Sequence, residues 1–358
     1  MTRYMLRKGL HTLLLPLLVL LTASCAKQAY YIDTHTRQNK EGDYLIQWQV
    51  YPGMDGHVAI YASSDANQYP SEPSAVEQIA TAQYQHSTSG IEHTYFMLIF
   101  NNRDMRIVTA RTIPTIGILN LRDIGGYMTY NGEQMRWGMI YRSGDLWRSF
   151  EQDIPTIAAL GLRTQYSLSP SRISDQLPKL GISALEQIYI EPDNAIDFQH
   201  LIDNIYTEQS SRREIEQMHR EVLENIAFQN PNQLRMLFDE LIDPANYPIL
   251  LSDDLGKDRV AFVTLLIHHI LGVSKSDAIS DYILSNDLLP VSRLEPNGFT
   301  QSVKVQEALT EYFRCTPRQV SEIMDEIEKR YGSIDNYLAD YLHFDTQQQE
   351  KLRLLLLY

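Results

Sequence analysis

The pattern of apolar and polar positions divides the chain into three stretches. Residues 10–21 form a short apolar run behind a basic start. Between 26 and 112, short runs rich in aromatic and β-branched residues alternate with turn-forming clusters, which predicts strands at 43–50, 57–61, 78–84, 94–100 and 105–109. From 113 onwards, apolar runs alternate with amphipathic segments, which predicts strands that alternate with helices. We therefore expect a small β-sandwich over 26–112, followed over 113–358 by an α/β domain whose largely parallel sheet is flanked by helices.

Several elements of the second domain can be placed from the sequence. A short helix is predicted to end near 158–162, with a strand at 163–168, helices over 196–242 and a strand at 248–251. An apolar helix over 259–271 is predicted to end at Gly272, because glycine is favoured just after a helix. Three further helices are predicted within 302–356, one of them between Pro317 and Gly332.

The N-terminal stretch has the features of an export signal. Basic residues precede the apolar run, which is too short to cross a bilayer and ends in three small residues before Cys25. This arrangement resembles a bacterial lipoprotein signal, which implies cleavage before Cys25 and acylation of its thiol. We thus expect 1–25 to be a lipoprotein signal peptide whose cysteine is retained, and the protein to be exported and membrane-anchored, in the periplasm or at the cell surface. The alternative is an ordinary secretory signal with an incidental cysteine.

Composition narrows the possible partners and bonds. The chain is 44% hydrophobic, as expected of a globular protein, and its formal net charge is −14. Binding to nucleic acid depends on clustered Lys and Arg, so no nucleic-acid partner is predicted. Cys315 is the second of two cysteines. If Cys25 is acylated, an intramolecular disulfide is impossible, and Cys315 is interpreted as a small, partly buried residue.

The segment 248–273 combines a predicted strand, a tight loop and the start of the apolar helix. Such a loop lies at a helix N-terminus, where unpaired N–H groups and the helix dipole favour an anion. Gly256 permits the turn, Arg259 could hold two phosphate oxygens, and Lys257 is expected to add positive potential. We predict a phosphate-binding loop made of Ser252, Asp253, Asp254, Leu255, Gly256, Lys257, Asp258 and Arg259. The alternative is a core strand–helix unit whose charged residues face solvent.

The motif Gly-Lys-Asp-Arg at 256–259 resembles the phosphate loop of the tyrosine/serine phosphatase family. Blocks at 120–127, 136–146, 160–164, 281–286 and 331–334 are also similar to that family, so the resemblance covers 113–358. It implies a phosphatase-like fold, no cofactor, and a phosphorylated protein or small phosphate ester as partner. The family's cysteine nucleophile and the histidine before it correspond to Asp253 and Ser252. Its Thr-Gly pair corresponds to Val260-Ala261, and its usual Asp-Leu-Arg to Ser-Leu-Ser at 167–169.

The aspartate at the cysteine position changes the expected chemistry. The family transfers a phosphoryl group to a thiolate, whereas a carboxylate is a poorer nucleophile and would form a high-energy acyl phosphate. At ~4 Å and an effective dielectric of about 20, each like-charge contact with a phosphate costs on the order of 4 kcal/mol. Our hypothesis is that Asp253 imitates a bound phosphate by accepting loop N–H bonds and pairing with Arg259.

Other charged residues are candidates for supporting roles. Arg122 and Asp123 match a family loop beside the phosphate site. Asp123 is a candidate catalytic residue with Asp253 and Arg259, although we interpret it as orienting Arg122 or a loop amide. A magnesium site formed by the three aspartates of the phosphate-binding loop is opposed by Lys257 and Arg259, so no metal is predicted.

Two further sets of side chains have alternative interpretations. Residues 200–224 match a helical lid of the family, from which three arginines either face the cleft or lie on a solvated helix face: Arg212, Arg213 and Arg220. His268 and His269, on the apolar helix, are interpreted as core or half-exposed residues.

These observations leave three functional hypotheses. The first is an inactive, membrane-anchored member of the phosphatase family that binds a partner in the cleft. The second is an active phosphoric monoester hydrolase that uses Asp253, with or without a metal ion. The third is a structural surface protein that binds through its β domain.

Overall fold

A computed structural model describes residues 30–88, 93–169, 186–189 and 198–358. The predicted signal peptide and Cys25 lie outside these residues. Within the described ranges, no helix has both the length and the apolar character needed to cross a membrane.

The N-terminal region consists of two antiparallel sheets that share one core. The first has the order β1-β2-β5 and the second the order β4-β3-β6-β7. Their bounds are β1 (Tyr31–Gln38), β2 (Tyr44–Tyr51), β3 (His57–Ser63), β4 (Ala75–Gln78), β5 (Gln83–His86), β6 (Tyr95–Phe100) and β7 (Asp104–Val108). Alternate side chains from both sheets fill the space between them, including Ile46, Trp48, Ile60, Phe96 and Leu98.

The strand predicted at 78–84 is wrong. Residues Ile79–Thr81 form a 3-10 turn, after which Ala82 adopts a left-handed φ of 58°. The indole of Trp48 donates a hydrogen bond of 2.8 Å to the carbonyl oxygen of Ile79, which holds this turn against the core. The single predicted strand is therefore replaced by the end of β4, a turn and the start of β5.

The second region is built on a five-stranded sheet. Its strands are β8 (Arg122–Asp123), β9 (Ile140–Gly144), β10 (Thr164–Ser167), β11 (Glu186–Tyr189) and β12 (Ile249–Asp253), in the order β11-β10-β12-β9-β8. Strands β11, β10, β12 and β9 run parallel to one another, and β8 pairs antiparallel with β9. This sheet and its flanking helices confirm the predicted α/β class.

Twelve α-helices occur in the part of the chain that the structure describes. They are α1 (Ile154–Ala159), α2 (Phe198–Tyr206), α3 (Arg212–Gln229), α4 (Pro231–Leu241), α5 (Arg259–Leu271), α6 (Lys275–Ile283), α7 (Ser285–Leu288), α8 (Val291–Leu294), α9 (Val303–Phe313), α10 (Pro317–Tyr331), α11 (Ile334–Asn336) and α12 (Thr346–Leu356). The predicted bounds of α5 are confirmed, and Gly272 ends it with a φ of 78°. Beyond the three helices predicted in 302–356, that region also holds α11 and a π-helical turn at Tyr337–Tyr341.

The sandwich packs against the end of the parallel sheet where its strands begin. The indole of Trp137 donates to the Ile107 carbonyl at 2.7 Å, and the hydroxyls of Tyr95 and Tyr141 lie 3.0 Å apart. A cavity of about 480 Å³ between the two regions is lined by Asp65 and Tyr95 on one side and by Met139 and Tyr247 on the other. Because the strands run away from this contact, the loops that follow them lie at the opposite end of the sheet.

Candidate functional site

The loop from Ser252 to Arg259 follows the carboxyl end of β12, which lies between β10 and β9. This is the edge of a parallel sheet at which ligands bind in α/β folds. Gly256 has a φ of +68°, and a Cβ atom there would lie 2.4 Å from the carbonyl carbon of Ser143. The loop can therefore follow this tight path only with glycine at 256.

The carboxylate of Asp253 lies inside the loop and accepts backbone hydrogen bonds from three directions. Its Oδ1 accepts from the amides of Leu255 at 3.2 Å and Gly256 at 2.5 Å, and its Oδ2 accepts from the amide of Val260 at 3.0 Å. Asp253 is 2% exposed. Its carboxylate thus sits at the N-terminus of α5, where the helix dipole stabilises negative charge.

The expected pairing of Arg259 with Asp253 is wrong. The guanidinium Nη1 of Arg259 forms its ion pair with Oδ2 of Asp254, at 3.0 Å. Both carboxylate oxygens of Asp253 face backbone amides, so the neighbouring carboxylate takes the arginine instead. Burial raises the pKa of Asp254 to about 6, against the opposing effect of Arg259.

The positive potential expected from Lys257 is neutralised by a neighbouring carboxylate. The side chain is fully buried, and its Nζ donates to Oδ1 of Asp258 at 2.8 Å and contacts Nδ1 of His219 at 3.3 Å. Burial would raise the pKa of Asp258, but Lys257 and His219 outweigh this effect and hold it below its usual range. The charges of Lys257 and Asp258 therefore compensate each other beneath the loop.

Within the described ranges, no three His, Cys, Asp or Glu side chains are grouped as metal ligands would be.

A buried network of two arginines and one aspartate supports the loop from below. Arg122 and Arg142 form ion pairs with Asp281 at 3.3 and 2.8 Å. Burial would raise the pKa of Asp281, but the two guanidinium groups outweigh it and keep this pKa well below its ordinary range. Nη2 of Arg142 also donates to the carbonyl of Gly256 at 2.7 Å. The network therefore connects α6 and β9 directly to the turn of the phosphate loop.

Asn120 completes this support. Its Nδ2 donates to the carbonyls of Leu255 at 3.1 Å and Gly256 at 2.9 Å, and its Oδ1 accepts from Arg122. Asn120, Arg142 and Asp281 belong to the sequence blocks that carry the family resemblance, yet they were not predicted as site residues. These site residues could have been found from the sequence, because they are charged or amide side chains within segments whose other residues are typical of a buried core.

The carboxylate of Asp123 binds backbone amides. Its carboxylate accepts from the amides of Gly125 at 2.7 Å and Gly138 at 2.6 Å, and burial raises its pKa to about 6. Of the two roles weighed for it, this geometry corresponds to orienting loop amides. Arg122 is likewise fully buried in the Asp281 network, so neither side chain opens onto the cleft.

Asp145, which was not predicted, adds a further carboxylate next to the loop. It follows β9, is 3% exposed, and accepts from the hydroxyl of Ser169 at 2.9 and 3.0 Å. Burial and the nearby Asp254 raise its pKa to about 7. With Asp253 and Asp254, it places three carboxyl groups near one another at the loop.

Replacing Asp145 with asparagine is expected to change how stability depends on pH. Because the folded state raises this pKa, it keeps the proton that the unfolded chain loses, so the contribution of Asp145 to the free energy of unfolding falls as pH rises from about 4 to about 7. Relative to wild type, the free energy of unfolding of Asp145→Asn should therefore increase by up to about 4 kcal/mol between pH 4 and pH 8. Urea denaturation at both pH values measures the difference. Glu307→Gln, at an exposed position, is the control; a difference that does not change with pH would contradict the prediction.

The other predicted side chains lie away from the cleft or in the core. Arg212 and Arg220 line a separate cavity of about 210 Å³ between α3, α9 and α10, where they form ion pairs with Glu311 and Glu322. This corresponds to the solvated-face interpretation. Ser252 is buried and its hydroxyl accepts from Gln165 at 2.8 Å.

The remaining candidates are in the core or half-exposed. Cys315 is buried between α9 and α10, and burial raises the pKa of its thiol. His268 lies in the core, whereas the half-exposed His269 contacts Asp335 at 3.0 Å.

The sequence of residues 113–358 matches the family model described as the tyrosine phosphatase family. The chain belongs to this family. The match begins where the alternation of strands and helices begins, and it contains the loop, the arginine–aspartate network and every helix that surrounds them.

Two curated proteins show how far the tyrosine phosphatase family resemblance extends. A protein of Cupriavidus necator, provisionally named as a tyrosine-protein phosphatase, is 26% identical over 242 residues, which cover 64% of this chain and 84% of that protein. The triple specificity protein phosphatase PtpB of Mycobacterium tuberculosis is 21% identical over 265 residues, covering 65% of this chain and 94% of PtpB.

The core catalytic domain of the PP-IP phosphatase SIW14 from S. cerevisiae, in complex with citrate, is matched over 60% of this chain and 94% of that domain. The sequence identity is 15% and the TM-score is 0.26.

Proposed function

We propose that this chain is an inactive member of the tyrosine phosphatase family that binds a partner at its cleft and is anchored to a bacterial membrane through Cys25. The observation that carries the proposal is the position of the Asp253 carboxylate. It accepts hydrogen bonds from the amides of Leu255, Gly256 and Val260, which are groups that a phosphate would need. The loop keeps its fold because the chain supplies the anion itself.

Binding of the Asp253 carboxylate to the loop amides is expected to be lower in free energy than binding of a phosphate. Hydrogen bonds to a charged group contribute about 1.5–3 kcal/mol each, and a phosphate would have to replace those that Asp253 already receives. It would also meet the carboxylate of Asp254, at a cost on the order of 4 kcal/mol for a close contact between the two charges. Arg259, the expected phosphate clamp, is paired with Asp254. A phosphorylated protein or phosphate ester would therefore bind through contacts outside the loop, or only after displacing Asp253.

Removing the carboxylate should open the site. Asp253→Ala is expected to bind inorganic phosphate at least about tenfold more tightly than wild type, a gain of about 1.4 kcal/mol, because it frees the loop amides and removes one repulsive charge. Isothermal titration calorimetry measures the two affinities. The matched control is Asp253→Asn, which keeps an oxygen acceptor at the loop amides but removes the negative charge, and which should show only part of the gain. Equal phosphate affinity in wild type and Asp253→Ala would contradict self-occupation by Asp253.

An activity assay tests the absence of turnover. Wild-type protein should hydrolyse p-nitrophenyl phosphate and phosphotyrosine peptides no faster than Arg259→Ala, with or without Mg²⁺. Hydrolysis by wild type that disappears in Asp253→Ala would instead support an active monoester hydrolase that uses this carboxylate.

A further inference from the structure

The position of the proposed lipid anchor restricts which part of the protein can touch the membrane. Five residues separate Cys25 from Tyr31, where β1 begins. A chain of this length spans at most about 20 Å even when fully extended. If Cys25 is acylated, the start of β1 must therefore lie close to the lipid surface.

The end of the sandwich at the start of β1 is formed by three turns as well as by β1 itself. Tyr31 is opposite Tyr51 in the β1–β2 register. Residues 52–56 follow Tyr51, and Gly56 and His57 accept backbone hydrogen bonds from Ile79 and Asn101, both at 2.9 Å. These contacts bring the turns at 79–82 and 101–103 to the same end.

This end carries an exposed aromatic pair. Tyr31 is 68% exposed and Tyr51 is 73% exposed. Directly opposed residues of an antiparallel pair project from the same face, so the two rings lie side by side. Tyrosine combines an apolar ring with a polar tip, and it is enriched where a membrane meets water. The guanidinium of Arg103 lies over the ring of Tyr30, at 5.2 Å from its centre, and pairs with Asp104 at 3.1 Å.

The opposite end of the sandwich is already covered by the phosphatase-family domain. Gln38 and Gly42, at the far end of β1, line a cavity of about 510 Å³ together with Pro114 and Thr156. A strand of eight residues is about 25 Å long. The sandwich therefore separates the tyrosine pair from the second domain, and the phosphate loop lies beyond that, at the far ends of the parallel strands.

We propose that the end of the sandwich carrying Tyr31 and Tyr51 rests on the lipid bilayer that holds Cys25, so that the cleft of the phosphatase-family domain faces away from the membrane. This inference rests on the acylation of Cys25 stated in the proposed function. The sandwich is then a spacer with one lipid-facing end, and the partner of the cleft approaches from the aqueous side.

Fluorescence quenching by spin-labelled lipid tests this orientation. The full chain is expressed with its own signal, the acyl mass at Cys25 is verified by mass spectrometry, and the protein is reconstituted in vesicles of phosphatidylethanolamine and phosphatidylglycerol. A fluorophore is attached to Gly53→Cys, because a side chain at Gly53 would meet nothing within 4 Å. The matched control is Gln68→Cys, exposed at the opposite end of the sandwich. Cys315 is buried and does not compete for the label.

Headgroup-level spin labels should quench the fluorophore at position 53 several-fold more strongly than the one at position 68. Replacing both tyrosines, as Tyr31→Ser with Tyr51→Ser, should reduce quenching at 53 while leaving the acyl mass unchanged. Equal quenching at 53 and 68 in acylated protein would overturn the orientation alone. An unacylated Cys25 would overturn the proposed anchor, and this inference with it.

Discussion

Replacing Asp281 with alanine is expected to lower the free energy of unfolding by about 3–5 kcal/mol, because it leaves two buried guanidinium groups without their shared carboxylate. Arg122 and Arg142 are 0% and 1% exposed, so water cannot take over the lost contacts without opening the structure. Arg142 also holds the Gly256 carbonyl, so the phosphate loop should lose order together with the network. Urea denaturation followed by circular dichroism measures the change in stability.

Asp287→Ala is the matched control for this substitution, since Asp287 is an exposed aspartate on the next helix. Its loss should cost no more than about 0.5 kcal/mol, as is usual for surface substitutions. If Asp281→Ala were as stable as Asp287→Ala, the arginine–aspartate network would not be what supports the loop.

The sequence identified the elements whose signals are local. Helix α5 was placed correctly because it is a continuous apolar run that ends at Gly272, where a left-handed φ suits glycine. The loop before it was also located, since its glycine and its position at a helix N-terminus are both readable in the chain. The same reasoning missed β1, in which Ile32 is the buried apolar residue and the other positions are mostly polar.

The ion-pair partners of the charged side chains could not be predicted from local sequence signals. Asp281 lies 159 residues from Arg122 along the chain, and α6, which carries it, is held by packing against α5 and α10. Lys257 was expected to add positive potential at the loop because it belongs to the motif. Instead, the backbone turn directs it inward to Asp258 and His219. The choice of ion-pair partner for Arg259 depends on where the side chains of Asp253 and Asp254 point. Asp253 points to the loop amides, so Asp254 is the carboxylate that pairs with Arg259.

Restoring a thiol tests whether the cleft retains the rest of a catalytic site. The combined substitution Ser252→His with Asp253→Cys is expected to raise turnover of p-nitrophenyl phosphate by at least about a hundredfold over wild type, equivalent to about 2.7 kcal/mol of barrier. The amides of Leu255, Gly256 and Val260 that now stabilise a carboxylate would stabilise a thiolate at the same place and lower its pKa. The imidazole at 252 would occupy the position from which the Ser252 hydroxyl now accepts a hydrogen bond from Gln165.

The matched control is Ser252→His with Asp253→Ser, which has the same loop and a hydroxyl in place of the thiol. It should bind phosphate as the cysteine variant does but show no comparable turnover, because a serine hydroxyl stays protonated at neutral pH whereas the loop amides can stabilise a thiolate. If the cysteine variant binds phosphate and remains inactive, the loss of activity extends beyond residue 253. In that case Val260, or the pairing of Arg259 with Asp254, must contribute to it. Because the cysteine variant differs from its control by a single atom, oxygen in place of sulfur, any difference in rate between them is attributable to the nucleophile.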